Sequence, residues 1–476
     1  MANQIKTTFM NMSWMMSSQI ITSVLAFVWT ILIARYLGVS DYGIFGYAVS
    51  MSTMFAIICD LGMSTHIIRS VATDYNIVSK YLGNAIPLKL FLSIAYLVVI
   101  YIVLVIFNQS WLVIYITLLF CLEMIIKNFM ALLSGIFQAH EKGKYPAIAN
   151  TILAVFTMIL VIVGIVFNWG LNGIAWAYII ANVIAISYTI YALREFITVP
   201  KISFDMDFWK KLLKWGTPFA ITGIFSTVYY SIDVVMLEQM VSAYATGIYN
   251  ATYKLINVLT LFYSIYTAVI FPVMSKQFKN EKSLLVASFE KSTKYLSMVT
   301  IPIAIACLFY STDIIHFIYG YQYADASVVL SILIWTVCFL FINGAASNEL
   351  NASHKEYSVT KIYIVAAIFN VCLNLFLIPR YSYIGASIAT VVSEILVLFL
   401  ELYTLRKLSL LPGKHLLFDV GKICLCSIIL GIILYIFKLN MWVAIPVGIV
   451  VYLILLYLTK SFDDGDKYIV KQIIGK

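Results

Sequence analysis

The sequence predicts an all-α integral membrane protein of about fourteen transmembrane helices, built as two six-helix lobes related by a parallel pseudo-repeat, plus two extra C-terminal helices. Three observations predict it. Of 476 residues, 62% are apolar and 11% are charged, against roughly 25% charged in soluble domains. Mean hydropathy is +0.96. Apolar runs of about 20 residues recur almost end to end, the length that crosses a hydrocarbon core of about 30 Å. Backbone polar groups cannot stay unpaired in lipid, so such runs are helices or a closed barrel. Runs this long without strict alternation are helices.

The spans fall at about 13–34, 42–68, 81–107, 111–137, 146–168, 171–193, 215–237, 248–274, 295–319, 326–348, 360–379, 383–403, 416–437 and 441–459. The first run, Ser13 to Ala34, is long enough to be retained as a span instead of being removed as a signal peptide. With the N-terminus placed in the cytoplasm, alternate connections collect the basic residues: Arg69 and Lys80; Lys142 and Lys144; five between Arg194 and Lys214; five between Lys276 and Lys294; Lys355 and Lys361; Arg406, Lys407, Lys414 and Lys422. The opposite connections hold only Arg35, Arg380 and Lys438. This asymmetry runs along the whole chain and places both termini in the cytoplasm. It also explains the net charge of +9 by loop placement, with no call for a nucleic-acid partner.

The longest inner connection, about 194–214, follows the sixth span. The expected organisation is therefore an N-lobe at 1–197, a cytoplasmic linker at 198–214, a C-lobe at 215–407, and spans thirteen and fourteen with a tail at 408–476. Three similarities appear in the same order in the two lobes: YGIFGYAVSM at 42–51 with TGIYNATYKL at 246–255, QAHEK at 138–142 with NASHK at 351–355, and LNGIAWAYIIANV at 171–183 with YIGASIATVVSEI at 383–395. Six spans per lobe is an even number, so both lobes insert the same way up. The repeat is then parallel, about an axis along the membrane normal, a transporter architecture with its substrate between the lobes.

Ionisable residues within spans are costly and face a cavity or a partner. Span two carries Asp60 and ends near Arg69; span three carries Lys89; span four carries Glu123 and Lys127; span seven carries Asp233; span eight carries Lys254; span nine carries Asp313 and His316; span twelve carries Glu394. Glu123 and Lys127 are four apart with Glu first, the favourable order on one helix face. They either neutralise each other or offer a cation to cargo. Asp233 and Lys254, on antiparallel neighbours, pose the same choice. Arg69 either snorkels at a helix end or meets substrate. Arg35 departs from the positive-inside pattern. Lys89 has no acidic residue close in sequence, which leaves a buried cation seeking an anion. His316 reads as a satisfied polar residue. Cations held away from water attract phosphate strongly, so the expected cargo is an anionic headgroup met by Arg35, Arg69, Lys89, Lys127 and Lys254. Asp60, Glu123 and Asp233 are candidates for ion coupling or charge pairing.

Other chemistries lack their motifs. No GxxxxGK[ST], GxGxxG after a strand, or HExxH occurs. The seven cysteines are scattered apart from Cys424 and Cys426, which supports neither a zinc site nor a disulfide framework. Asp463, Asp464 and Asp466 form a short acidic run without the other ligands of a calcium loop. The chain is therefore expected not to be an enzyme and to need no cofactor or metal.

ARYLGVSDYGIFGYA at 34–48, DLGMSTHIIR at 60–69, GIFQAHEKGKYPAIAN at 135–150, GLNGIAWAYIIAN at 170–182, and SIDVVML at 231–237 followed by TGIYNATYKL, resemble the polysaccharide-biosynthesis flippases of the multidrug/oligosaccharidyl-lipid/polysaccharide exporter superfamily. The resemblance covers nearly the whole chain. It implies two six-helix bundles forming a V, and movement of a lipid-linked oligosaccharide on a polyprenyl phosphate or pyrophosphate from the inner to the outer leaflet of the cytoplasmic membrane. It also implies cavity-lining basic residues, for which Arg35, Arg69 and Lys254 are the candidates by position. Membrane lipids and glycan-assembly enzymes are the implied partners, with H⁺, Na⁺ or the membrane potential as coupling. A cation-coupled multidrug exporter is the alternative, but it needs acids to dominate its cavity, and the first span has none. A scaffold for envelope glycan enzymes would leave the buried cations without a purpose.

Overall fold

The computed structural model describes residues 2–196, 201–280, 282–413 and 415–462. Among these residues there is no strand, and thirteen α-helices follow one another: α1 Ala2–Phe55, α2 Met63–Thr73, α3 Val78–Ile106, α4 Trp111–Ala139, α5 Lys144–Val166, α6 Gly170–Leu193, α7 Met206–Met240, α8 Ala243–Asn280, α9 Lys282–Tyr319, α10 Ala326–Ala352, α11 Glu356–Lys407, α12 His415–Phe437 and α13 Met441–Leu458. Eleven spans are long and apolar enough to cross a membrane, twelve with the two arms of α7, which meet at 45°. Pro218 lies within that helix; it lacks an N–H to continue the ladder and so favours a bend. At 54 residues, α1 would run about 80 Å if straight, far beyond the hydrocarbon core. It breaks at Gly38, whose φ of 74° and ψ of 176° are not helical. The 52-residue α11 breaks at Ser382, three residues after Pro379. Counting both limbs of α1 and α11 gives the fourteen spans expected. The acidic run at 463–466 lies outside the described residues.

The chain divides into two compact units, Met1–Asn250 and Ala251–Lys476. The division falls inside α8, because α7 packs along α1 and α2 of the first unit.

The helix ends show how the backbone is satisfied. Asn108, Glu141, Asn168, His354, Ser409 and Lys460 all adopt positive φ. The amide after each reaches back five residues to a carbonyl of the last turn, as in Lys142 N to Phe137 O at 2.8 Å and Lys355 N to Leu350 O at 2.9 Å. These Schellman closures supply partners to carbonyls that would otherwise be orphaned. At helix starts, Ser110 accepts from Val113 N, Asp205 from Asp207 N and Phe208 N, and Asn440 from Trp442 N.

In the first unit, the short α2 buries Met63, Ile67 and Val71, spaced by four, against Leu132, Ile136 and Phe137 of α4 and Phe208 and Leu212 of α7. Within the same unit α1 and the start of α8 approach so closely that only glycine fits. A side chain on Gly43 would run into the carbonyl of Ala243, and one on Gly247 into that of Val39. In the second unit, tyrosines bridge helices: Tyr452 of α13 donates to Met298 O at 3.0 Å, and Tyr319 of α9 to Ala251 O at 2.8 Å. The outer faces carry large apolar residues such as Phe91, Ile94 and Val98 on α3, where lipid acyl chains are the solvent.

Gly43→Val should cost about 1–3 kcal/mol by overpacking and lower the melting temperature in detergent. Gly421→Ala, whose added methyl meets nothing within 4 Å, should leave it unchanged.

Candidate functional site

The second predicted span is not one helix. After α1 ends at Phe55, a 3-10 turn at Ala56–Cys59 leads to Leu61 and Gly62, with φ of 44° and 76°. Only then does α2 start. The break frees amides at depth, and Asp60 takes up one of them, accepting from Ser64 N at 3.2 Å while Ser64 Oγ also donates to it. Gly62 is required here twice over: its φ is positive, and a Cβ would collide with the carbonyl of Gly216 on α7.

Lys89 of α3 closes this knot. Its Nζ lies 2.6 Å from Asp60 Oδ1, 3.1 Å from Ser64 Oγ and 3.1 Å from the carbonyl of Asn128 on α4. Its side chain is 1% exposed. The expectation of a buried cation lacking an acid is thereby corrected. Asp60, 29 residues earlier, is that acid, and the bend in the chain carries it to α3. With three acceptors around an ammonium that has three donors, Lys89 is saturated.

Glu123 and Lys127 form the i,i+4 ion pair that their order suggests, at 2.8 Å. Glu123 is buried and also accepts from Asn182 Nδ2 of α6 at 3.0 Å, whereas the Lys127 side chain is 40% exposed. Asp233 accepts the Tyr249 hydroxyl at 2.6 Å. Lys254 lies half-buried on α8 in the second unit. Arg35 is exposed near the end of the first limb of α1. Arg69 is exposed on α2, with its guanidinium 4.9 Å over the Phe219 ring; among the described residues no carboxylate stands within 4.0 Å of it. His316 stacks near Tyr321 at 4.3 Å, but its Nε2 has no hydrogen-bond partner. Asp313 is exposed.

The second unit holds polar groups besides Glu394 that the sequence reading did not single out. Asn343 of α10 donates to Glu394 Oε2 of α11 at 2.7 Å, and Ser347 donates to Glu401 Oε1 at 2.5 Å. Glu349 of α10 is fully buried, with both carboxylate oxygens lacking a partner among the described residues. Lys294 is also buried, 4.0 Å from Asp419. Glu401 lies inside a predicted span and Glu349 one residue beyond another, so counting acids to the last helical turn would have found both. Among the described residues no group of three or more His, Cys, Asp or Glu could hold a metal ion.

A polytopic helical bundle with ion pairs buried in its spans and cations left exposed beside them has the makeup of a membrane transporter. The comparisons give the family. The chain belongs to the polysaccharide biosynthesis protein family, whose model matches residues 9–278. A second family model, Lipid II flippase MurJ, matches residues 240–453. An uncharacterized membrane protein, MJ1068 of Methanocaldococcus jannaschii, is 29% identical over 44% of this chain, a match spanning 41% of that protein's length. The probable low-salt glycan biosynthesis flippase Agl15 of Haloferax volcanii is 21% identical over 88% of this chain and 89% of its own. A solved structure of Lipid II flippase MurJ in an inward closed conformation shares the fold, with a TM-score of 0.77, 18% identity, and coverage of 94% of this chain and 98% of that one.

Lys89→Met alone should strand Asp60 and cost about 3–5 kcal/mol, read as a large fall in melting temperature. Adding Asp60→Asn should recover most of that loss.

Proposed function

We propose that the chain is a flippase that moves a lipid-linked oligosaccharide, on a polyprenyl phosphate or pyrophosphate, from the inner to the outer leaflet of the cytoplasmic membrane by alternating access. Both termini lie in the cytoplasm in this reading. Family membership and the flippases among its relatives support the reaction class. The observation that carries the anionic cargo is Arg69: an exposed guanidinium on α2, braced by Phe219 and, among the described residues, without a carboxylate within 4.0 Å. A planar guanidinium fits phosphate oxygens two at a time. Arg35 and Lys254 are the further cations for the headgroup. Lys127, shared with Glu123, is a weaker contact, and Lys89 serves the fold.

The lipid tail needs an apolar track. In the second unit a groove of about 570 Å³ runs along α9, α12 and α13, lined by residues such as Pro302, Ile303, Leu434, Ile445 and Leu453. Branched and aromatic side chains there suit an isoprenoid chain. Spans thirteen and fourteen, outside the internal repeat, thus gain a role beside the cargo's tail.

No P-loop is present in the sequence, so the direction of transport comes from another source. An inside-negative potential favours exit of an anion by about 2.3 kcal/mol per charge per 100 mV. Coupling to H⁺ or Na⁺ would add to it. Envelope glycan-assembly enzymes are the partners that would make and consume the cargo.

Reconstituted protein should move a labelled polyprenyl-pyrophosphate oligosaccharide across vesicle membranes. Arg69→Ala should slow this by roughly tenfold or more, the loss of one charge-assisted hydrogen-bonded contact of about 1.5–3 kcal/mol. Efflux of a cationic dye without movement of the labelled lipid would instead establish the multidrug exporter.

A further inference from the structure

Among its described residues the second unit contains three buried carboxylates, and they are unequally satisfied. Glu394 accepts from Asn343. Glu401 accepts from Ser347 through one oxygen and leaves the other without a partner. Glu349 accepts from nothing among the described residues: both its oxygens are buried without a hydrogen bond, and the residue is 0% exposed. An ionised carboxylate in such a place is an uncompensated charge, and a buried charge is retained only where it is paired or hydrogen-bonded. The neutral acid is the form that suits the site.

Among the described residues no cation pairs with Glu349. α9 and α10 are joined by a short 3-10 turn at Tyr321–Tyr323, so Glu349 comes at about the depth of Ser297 when the antiparallel register is followed back from that turn. At this depth Thr293 Oγ1 and Ser297 Oγ are also buried and without partners. The titratable groups on the helices that touch α10 here are each engaged elsewhere. Tyr263 of α8 accepts from Asn348 Nδ2 at 3.2 Å, and Tyr266 of α8 donates to Ser292. Lys294 of α9 lies 4.0 Å from Asp419 of α12. Glu401 of α11 holds Ser347. The acids that the sequence reading offered for coupling are already committed in the first unit: Asp60 to Lys89, Glu123 to Lys127 and Asn182, and Asp233 to Tyr249.

We propose that Glu349 is a proton-binding site of the transport cycle, taking a proton from water when the α9–α10 seam opens and holding it as the neutral acid when the seam closes. This deepens the flippase reading and rests on it. The proton moves between water and the Glu349 carboxylate, with no other bond made or broken. Glu401, with one free oxygen, is the nearest acid in character.

The test uses the full chain in two settings. In lipid nanodiscs, infrared spectra recorded across a pH titration should show the carbonyl band of a protonated carboxylic acid that Glu349→Gln removes and Glu349→Asp displaces. In vesicles loaded with the labelled polyprenyl-pyrophosphate oligosaccharide, an imposed pH gradient should change the wild-type flipping rate several-fold, leave the rate of Glu349→Gln unaffected, and act again on Glu349→Asp. A melting transition for each variant separates misfolding from loss of the group, and the Asp variant carries the assignment if the Gln variant does not fold. Identical infrared spectra for wild type and both variants overturn the proton site. A Glu349-dependent band in a protein whose flipping ignores the gradient overturns its use in transport. The same band in a protein that moves no lipid retains the site and removes the flippase reading.

Discussion

Inside a bilayer an amide that leaves the helical ladder has no water to turn to, and unsatisfied groups there cost several kcal/mol each. A chain that must bend, break and reverse within that medium therefore has to carry its own partners to every break. Six helix ends are closed by a left-handed residue and a backbone bond reaching back to the last turn. Where the chain breaks between α1 and α2, Asp60 takes up Ser64 N, and Lys89 neutralises Asp60. The position of α2 against α4 and α7 follows from that knot, and with it the position of Arg69.

The buried and exposed charges then sort by how they are partnered. Those that hold the first unit together are matched: Lys89 with Asp60, Glu123 with Lys127 and Asn182. A matched pair is electrically quiet and has less to offer a substrate. Arg69 on the exposed side of α2 and Glu349 in the interior of the second unit are unmatched in opposite senses. The first is an exposed cation; the second is an acid that no donor stabilises among the described residues. The flippase reading proposed above assigns the first to the cargo and the second to the proton, and the two residues lie on different units.

Most of the architecture was legible in the sequence because hydropathy and the distribution of lysine and arginine act over whole spans. The fourteen apolar runs appear in the structure as twelve candidate spans among the described residues, two of them broken in the middle at Gly38 and Ser382. The break at Leu61 and Gly62 was not anticipated. Asp60-Leu61-Gly62 sits within an apolar stretch, and hydropathy averages over it. The i,i+4 pair of Glu123 and Lys127 was readable because helix geometry alone brings those positions together. The Lys89–Asp60 pair was not, since it depends on where the broken span delivers Asp60. Glu349 escaped notice because the apolar stretch of α10 stops at 348, although the helix and its burial continue to Ala352. The division between units also falls within α8, a boundary set by the packing of α7 and not by the basic linker that precedes it.

Photocrosslinking tests the central claim most directly. A photoreactive residue placed at Arg69, at Arg35 and at Lys89 in turn, in membranes supplied with labelled polyprenyl-pyrophosphate oligosaccharide, should capture the labelled lipid from the first two positions and not from the third. Capture from Lys89 alone, or from none of the three, would contradict an anionic lipid held by the exposed cations.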